Sequence, residues 1–395
     1  MTEYLKALKN WHLPEKTEVA FINATIFTGY DVLSDMALIV KDGVIVKLCP
    51  VVVVPDAMFK IDLNGANISA GFTDLQLNGC GGVMFNSQVS VETLEIMHQT
   101  NLKSGCTRFL PTLITCSDED MKHAIKVMRD YQLKYPDHLL GLHLEGPYIS
   151  LEKKGIHNAA YVRKPSDEMI DYLCAHAAQI TLLTLAPEVC SASIVERLVD
   201  AGIVVSIGHS NASYKQAKIS INAGAGFATH LFNAMSTMQG REPGMVGAIY
   251  NSPCVYTGVI ADGIHVDLAN IRIAKKIKQD HLILVTDATA AAGASDLTSF
   301  DFVGETVFVK NGRCVNKDGT IGGSALTLNQ AIANVVRYVG VSLEEAVRMV
   351  TLYPAQAIHR ADKMGQLKAG FAANLSIFDA NMNILATLVD GKLNQ

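Results

Sequence analysis

The chain has 395 residues, enough for one large domain or two of ordinary size. With 33 Lys and Arg against 38 Asp and Glu, its formal net charge of −5 speaks against a general nucleic-acid binder, which carries a basic surplus or stripe. Hydrophobic residues at 49% and charged residues at only 18% exclude long disorder and call for a large buried core. No apolar run is long enough to span a bilayer, so no membrane partner is expected. The polar stretch Met1–Lys16 lacks the basic start and apolar centre of a signal peptide. Eight scattered cysteines without a C-x-x-C pair read as thiols of a reducing cytoplasm.

In chain order, the first elements are short strands at Val19–Phe27, Met36–Lys41, Gly43–Leu48 and Met58–Leu63, with turn signals at Asp42–Gly43 and Asn64–Gly65. The last thirty residues have the same texture, with strands expected at Ala373–Phe378 and Ile384–Val389. One small β-sandwich domain built from both termini, residues 1–68 and 365–395, follows from that match.

Between these ends, residues 69–364 repeat a different phrase: an apolar run, a polar or Gly-rich end, then an amphipathic helix. The runs are Gly71–Leu77, Phe109–Ile114, Leu139–Leu144, Ile180–Leu185, Ile203–Ile207, Phe227–Leu231, Val255–Ile260 and Leu282–Thr286. The helical stretches are Val91–Lys103, Asp118–Leu133, Asp167–Ala178, Ala192–Ala201, Ser213–Ala223, Asp267–Ile277 and, after a detour, Leu326–Val339. Eight strand–helix units in a segment of this length predict a (β/α)8 barrel. A doubly wound open sheet is the rival, but the chain lacks its G-x-G-x-x-G phosphate turn.

Catalytic groups in such a barrel sit at the C-terminal ends of the strands. Those positions carry Gln76 and Asn78, His143 and Glu145, His209, His230, His265 and Asp287. Imidazole nitrogen with carboxylate oxygen suits one divalent cation, Zn²⁺ first, with Fe²⁺, Co²⁺ or Ni²⁺ as neighbours. Glu145, His209 and His230 supply three ligands and leave a position for water, which hydrolysis needs. Asp287 reads either as a loop or helix-capping aspartate or as a general base for that water. His265 could polarise a carbonyl or hold a hydroxyl.

The ordered stretches Gly71–Gly82, His143–Tyr148, Lys154–Asn158, Gly208–Ala212, Ala228–Met235, Gly240–Gly244, Ala261–His265 and Val285–Thr289 resemble the amidohydrolase superfamily, in its N-acetylglucosamine-6-phosphate deacetylase branch. The resemblance runs over about residues 20–390. It implies removal of the acetyl group from a sugar phosphate in amino-sugar catabolism, with Glu145, His209 and His230 as metal ligands and Asp287 as acid/base. It further implies that Ile156, His157 and His265 contact the sugar or its acetamide. Asn233, Ala234 and Arg241 would hold the phosphate, and Ile321, Gly322 and Gly323 would add backbone contacts. In this branch the arginine serves the neighbouring protomer's site, which implies a homodimer or homotetramer. The superfamily usually carries His-x-His on its first strand, where this chain has Gln76 and Asn78. Neutral amides bind Zn²⁺ poorly, so a single metal is expected. A cyclic-amide hydrolase would want that second metal and a bridging Lys, and the fourth run ends Thr184–Glu188 without one. A barrel that had lost its chemistry would lack the ligands or the base; this chain keeps them all.

Overall fold

In the computed structural model, residues 15–136 and 138–394 are described. Two compact units emerge. One comprises the described chain up to Thr73 together with His98–Arg108 and the residues from Leu328 onward; the other comprises Asp74–Met97 and Phe109–Thr327.

The terminal unit carries an eight-stranded sheet whose centre is the long strand Phe59–Ala70, paired in parallel with Val19–Phe27 and antiparallel with Leu375–Phe378. Met36–Lys41 and Val44–Pro50 extend one side, Ile384–Val389 and Lys392–Asn394 the other. One buried cluster joins Val40 and Ile45 from the first side to Leu388 and Leu393 from the second. The sheet therefore folds over on itself as a sandwich, which puts its two ends around one core.

The other architecture is the parallel barrel, with strands β1 (Phe72–Leu77), β2 (Cys106–Ile114), β3 (Leu142–Glu145), β4 (Ile180–Leu185), β5 (Val204–Ile207), β6 (Phe227–Ala228), β7 (Tyr256–Ile260) and β8 (Leu282–Val285). Neighbours in sequence are neighbours in the sheet throughout. Closure runs through a parallel bridge between Leu77 and Ala288, just beyond β8. Nearly every strand residue is buried, as strands covered on both faces require. The intervening helices start where polar caps dictate. Ser117 accepts from the Asp120 amide, Ser166 from that of Met169, and Ser213 forms a capping box with Gln216.

The structure departs from the sequence reading in places. The strand expected to stop at Leu63 runs on to Ala70, because Asn64 and Gly65, at φ 53° and 78°, form a bulge against Val19–Phe27 and not a chain-reversing turn. β6 pairs over only two residues, because the chain turns into left-handed backbone at His230 (φ 32°). The detour before the helix that starts at Leu328 is a four-stranded antiparallel insertion, Ser299–Phe302, Glu305–Lys310, Arg313–Val315 and Ile321–Ser324.

Candidate active site

The C-terminal strand ends converge on a cavity of about 160 Å³. Glu145 ends β3, and His209 and His230 lie two residues beyond β5 and β6. Their ligand atoms meet: Glu145 Oε1 is 3.1 Å from His209 Nε2 and 3.0 Å from His230 Nε2, and the two nitrogens are 3.0 Å apart. A tetrahedral ion with bonds near 2.0–2.1 Å spaces its ligands by about 3.3 Å, so this buried triangle fits a divalent metal. His209 Nδ1 donates to the Lys153 carbonyl at 2.8 Å, which turns the lone pair of Nε2 toward the cluster. Burial would raise the Glu145 carboxyl, but the two imidazoles set against it, His209 and His230, outweigh that and hold the group well below the usual carboxylate range.

Asp287 follows β8 by two residues in left-handed backbone, φ 48°. It is not a helix cap. Its amide donates to the Gln76 carbonyl at 3.0 Å and its carbonyl accepts from Ser324 at 2.9 Å, so both neighbours fix the turn. Gln76 Nε2 donates to Glu145 Oε1 and to Asp287 Oδ1, each at 3.1 Å, and Asn78 Nδ2 donates to the same Oδ1 at 2.7 Å. The two amides thus sit where their N–H groups neutralise carboxylates. Burial, then repulsion from Glu145, pushes the Asp287 carboxyl up to about 6.

His265 is gripped by Asp262, whose Oδ2 lies 2.6 Å from Nδ1 and whose Oδ1 accepts from the His265 amide at 2.9 Å. Burial works against the Asp262 charge, yet the bond to His265 keeps its carboxyl below the usual range. The opposite nitrogen, Nε2, is buried with no hydrogen-bond partner among the described residues. It is available to a ligand in the cavity that His265 lines. His157 shares a 2.8 Å hydrogen bond between Nδ1 and the Thr115 hydroxyl and packs 4.3 Å from the His209 ring, centre to centre. Burial, then the neighbouring His209, holds its imidazole neutral.

Ile156, His157, Asn233, Ala234, His265, Ile321 and Gly323 line the same cavity as the metal cluster and Asp287. Gly322 backs it: a Cβ there would stand 2.4 Å from Ile156 Cδ1. Arg241 does not line this cavity; it is exposed on the loop before the short helix Gly244–Tyr250. His143, on the same face of β3 as Glu145, is fully buried between the Thr112 and Thr184 hydroxyls at 3.2 and 2.7 Å. The sequence reading passed over Asp262, Thr115, Ile114 and Phe302. Only Asp262 had a signal, three residues before His265 in a Gly-containing turn.

A closed parallel barrel that gathers a buried Glu/His/His cluster and an adjacent carboxylate at its C-terminal mouth defines a metal-dependent hydrolase. Residues 67–393 match the amidohydrolase family and residues 19–68 the NagA composite domain; the chain belongs to the amidohydrolase family. It is 52% identical over 375 residues to the N-acetylglucosamine-6-phosphate deacetylase of Haemophilus influenzae, covering 94% of this chain and 98% of that one. The crystal structure of N-acetylglucosamine-6-phosphate deacetylase from Pasteurella multocida superposes with a TM-score of 0.94 at 52% identity, covering 95% and 99%. A Mycobacterium smegmatis deacetylase variant in complex with N-acetyl-D-glucosamine 6-phosphate matches with a TM-score of 0.88 at 28% identity, covering 96% and 99%.

Proposed function

We propose that the chain hydrolyses N-acetyl-D-glucosamine 6-phosphate to D-glucosamine 6-phosphate and acetate, in amino-sugar catabolism. The observation that carries this is the Glu145/His209/His230 triangle facing Asp287 across one cavity, in a chain 52% identical to a deacetylase of that name. A divalent cation held by Glu145, His209 and His230, Zn²⁺ by the chemistry of its ligands, would polarise the acetamide carbonyl and acidify water.

The chain's own groups do the rest. Asp287 takes a proton from the attacking water on its carboxylate as the C–O bond forms. The same carboxyl then returns that proton to the amide nitrogen, so the C–N bond breaks to a neutral amine and acetic acid, which ionises to acetate on release. Gln76 and Asn78 hold Asp287 by Oδ1 in the orientation both transfers need. His265 directs Nε2 at the substrate, with Asp262 fixing the ring from behind. His157 and Ile156 border the sugar. The turn Asn233–Ala234, with Ala234 at φ 49°, presents backbone amides to the phosphate, as do Ile321, Gly322 and Gly323.

Arg241, exposed and outside its own chain's cavity, serves the phosphate in a neighbouring protomer of a homodimer or homotetramer. The eight free thiols support a cytoplasmic reading.

The test is acetate release from phosphorylated and unphosphorylated N-acetylhexosamines, run with metal analysis on the same sample. Turnover confined to the 6-phosphates is expected. No acetate from N-acetyl-D-glucosamine 6-phosphate by metal-replete protein would refute the assignment.

A further inference from the structure

The lining of the cavity divides by chemistry. One part is polar: Asn78, Glu145, His157, Asn233, His265 and Asp287. Another is aliphatic and aromatic: Ile114, Ile156, Phe302 and Ile321. A hexosamine 6-phosphate offers hydroxyls, a ring oxygen and a phosphate to the first; its one wholly apolar substituent is the methyl of the acyl group.

Register places that methyl. Ile114 ends β2 and is the direct Cα partner of Glu145 on the parallel strand β3. Side chains of paired residues project to the same face, so Ile114 stands beside the metal cluster. For water activated by Asp287 to reach it, the acyl carbon has to lie between that cluster and Asp287. Its methyl is one bond of about 1.5 Å away, in the cavity that Ile114 helps to line.

The wall is also stiff. Asn86 clamps Ile114 from both sides, its Oδ1 accepting from the Ile114 amide at 3.0 Å and its Nδ2 donating to the carbonyl at 3.2 Å. Behind it, Ile114 and Phe302, each at most 2% exposed, belong to one packed cluster with Met84, Val307 and Cys314. Ile156 packs against that cluster. Close-packed cores do not yield room for an added methylene without strain.

We infer that Ile114, backed by Phe302 of the insertion, is the acyl-length gauge of this enzyme, admitting acetyl and rejecting longer acyl groups. This deepens the deacetylase reading and rests on it. The insertion thereby acquires a purpose: its Phe302 completes a selectivity wall that the barrel's strand ends alone do not build.

The experiment compares kcat/KM for the N-acetyl, N-propionyl and N-butyryl derivatives of glucosamine 6-phosphate, with metal content checked. The wild type should lose about 10- to 200-fold for each added methylene, the range over which a hydrophobic pocket senses one such group. Ile114→Val, which removes a single methylene and keeps the β-branched shape, should raise the propionyl-to-acetyl ratio about tenfold. Phe302→Leu should favour the butyryl derivative. Neither variant should change the affinity for glucosamine 6-phosphate, which has no acyl group, measured by calorimetry. Equal turnover of all three substrates by wild type, or ratios unmoved in both variants, would overturn the gauge and leave the deacetylase reading intact. A parallel loss of product affinity and of all three activities would show Ile114 to be merely structural and overturn it too. No turnover of the N-acetyl substrate by metal-replete wild type would refute the deacetylase reading itself, and the gauge with it.

Discussion

Replacing Asp287 by Asn isolates one oxygen atom. Both neighbouring amides end on the same atom of Asp287: Gln76 Nε2 at 3.1 Å and Asn78 Nδ2 at 2.7 Å donate to Oδ1. An asparagine that places its carbonyl oxygen at that point accepts both bonds unchanged. Its NH2 group then replaces Oδ2 on the side of the cavity. The backbone clamp to Gln76 and Ser324 involves no side-chain atom and survives as well. Stability and metal content should therefore stay near wild type, while the only proton acceptor at this position is gone. A positioned acid/base contributes about 10²–10⁴-fold, which is roughly 2.7–5.4 kcal/mol of barrier. The assay is acetate release at saturating N-acetyl-D-glucosamine 6-phosphate, with thermal melting and elemental analysis of the same preparation. A kcat within a few-fold of wild type would refute Asp287 as the base and move the role to His265 or His157. A large fall in melting temperature would refute the hydrogen-bond accounting instead.

His209→Ala or His230→Ala should abolish metal binding along with activity, because two ligands hold Zn²⁺ poorly; elemental analysis should also find one equivalent in wild type, and two would contradict the donor roles of Gln76 and Asn78. Asp262→Asn removes the charge behind His265 and should lower kcat/KM by about 10- to 100-fold, the worth of a charged hydrogen bond of roughly 1.5–3 kcal/mol. Arg241→Ala should raise KM for the phosphorylated sugar alone, and mixing it with Asp287→Asn chains should restore activity in mixed dimers, which a purely intrachain arginine cannot do. Lys278, buried against the Ile249 and Ser252 carbonyls, is pushed down by desolvation to about 8 from its ordinary 10.5. Between those values the unfolded chain binds more protons than the folded one, so stability should rise with pH across that window. Urea melts of Lys278→Met should lose that increment; an identical pH dependence in both proteins would contradict it.

The sequence by itself determined the barrel and pointed to the polar side chains that gather at its mouth. Strands buried on both faces have to be written as continuous apolar runs, and groups that face the cavity have to be polar exceptions at the ends of those runs. Ile180–Leu185, buried throughout, therefore appears in the structure with the limits its composition implies. Glu145, His209, His230 and Asp287 stood out for the same reason, as nitrogen and oxygen donors where the pattern otherwise demands Val or Leu, and the structure brings them to one cavity.

Tertiary structure alone decided how those groups are held. Gln76 reaches Asp287 across 211 positions of chain, a contact that exists only because β1 closes onto β8. No local period encodes it. The left-handed backbone of His209, His230 and Asp287, at φ 45°, 32° and 48°, is likewise invisible in residues that ordinarily avoid it. It is imposed by neighbouring strands and loops that over-determine each turn. Phe302 read as part of a detour because its own segment is a short amphipathic strand; it becomes part of the cavity wall once the insertion folds back on Ile114. Periodicity reports which face of an element is buried. Closure of the sheet decides against what, and so turns strand ends scattered along the chain into one site.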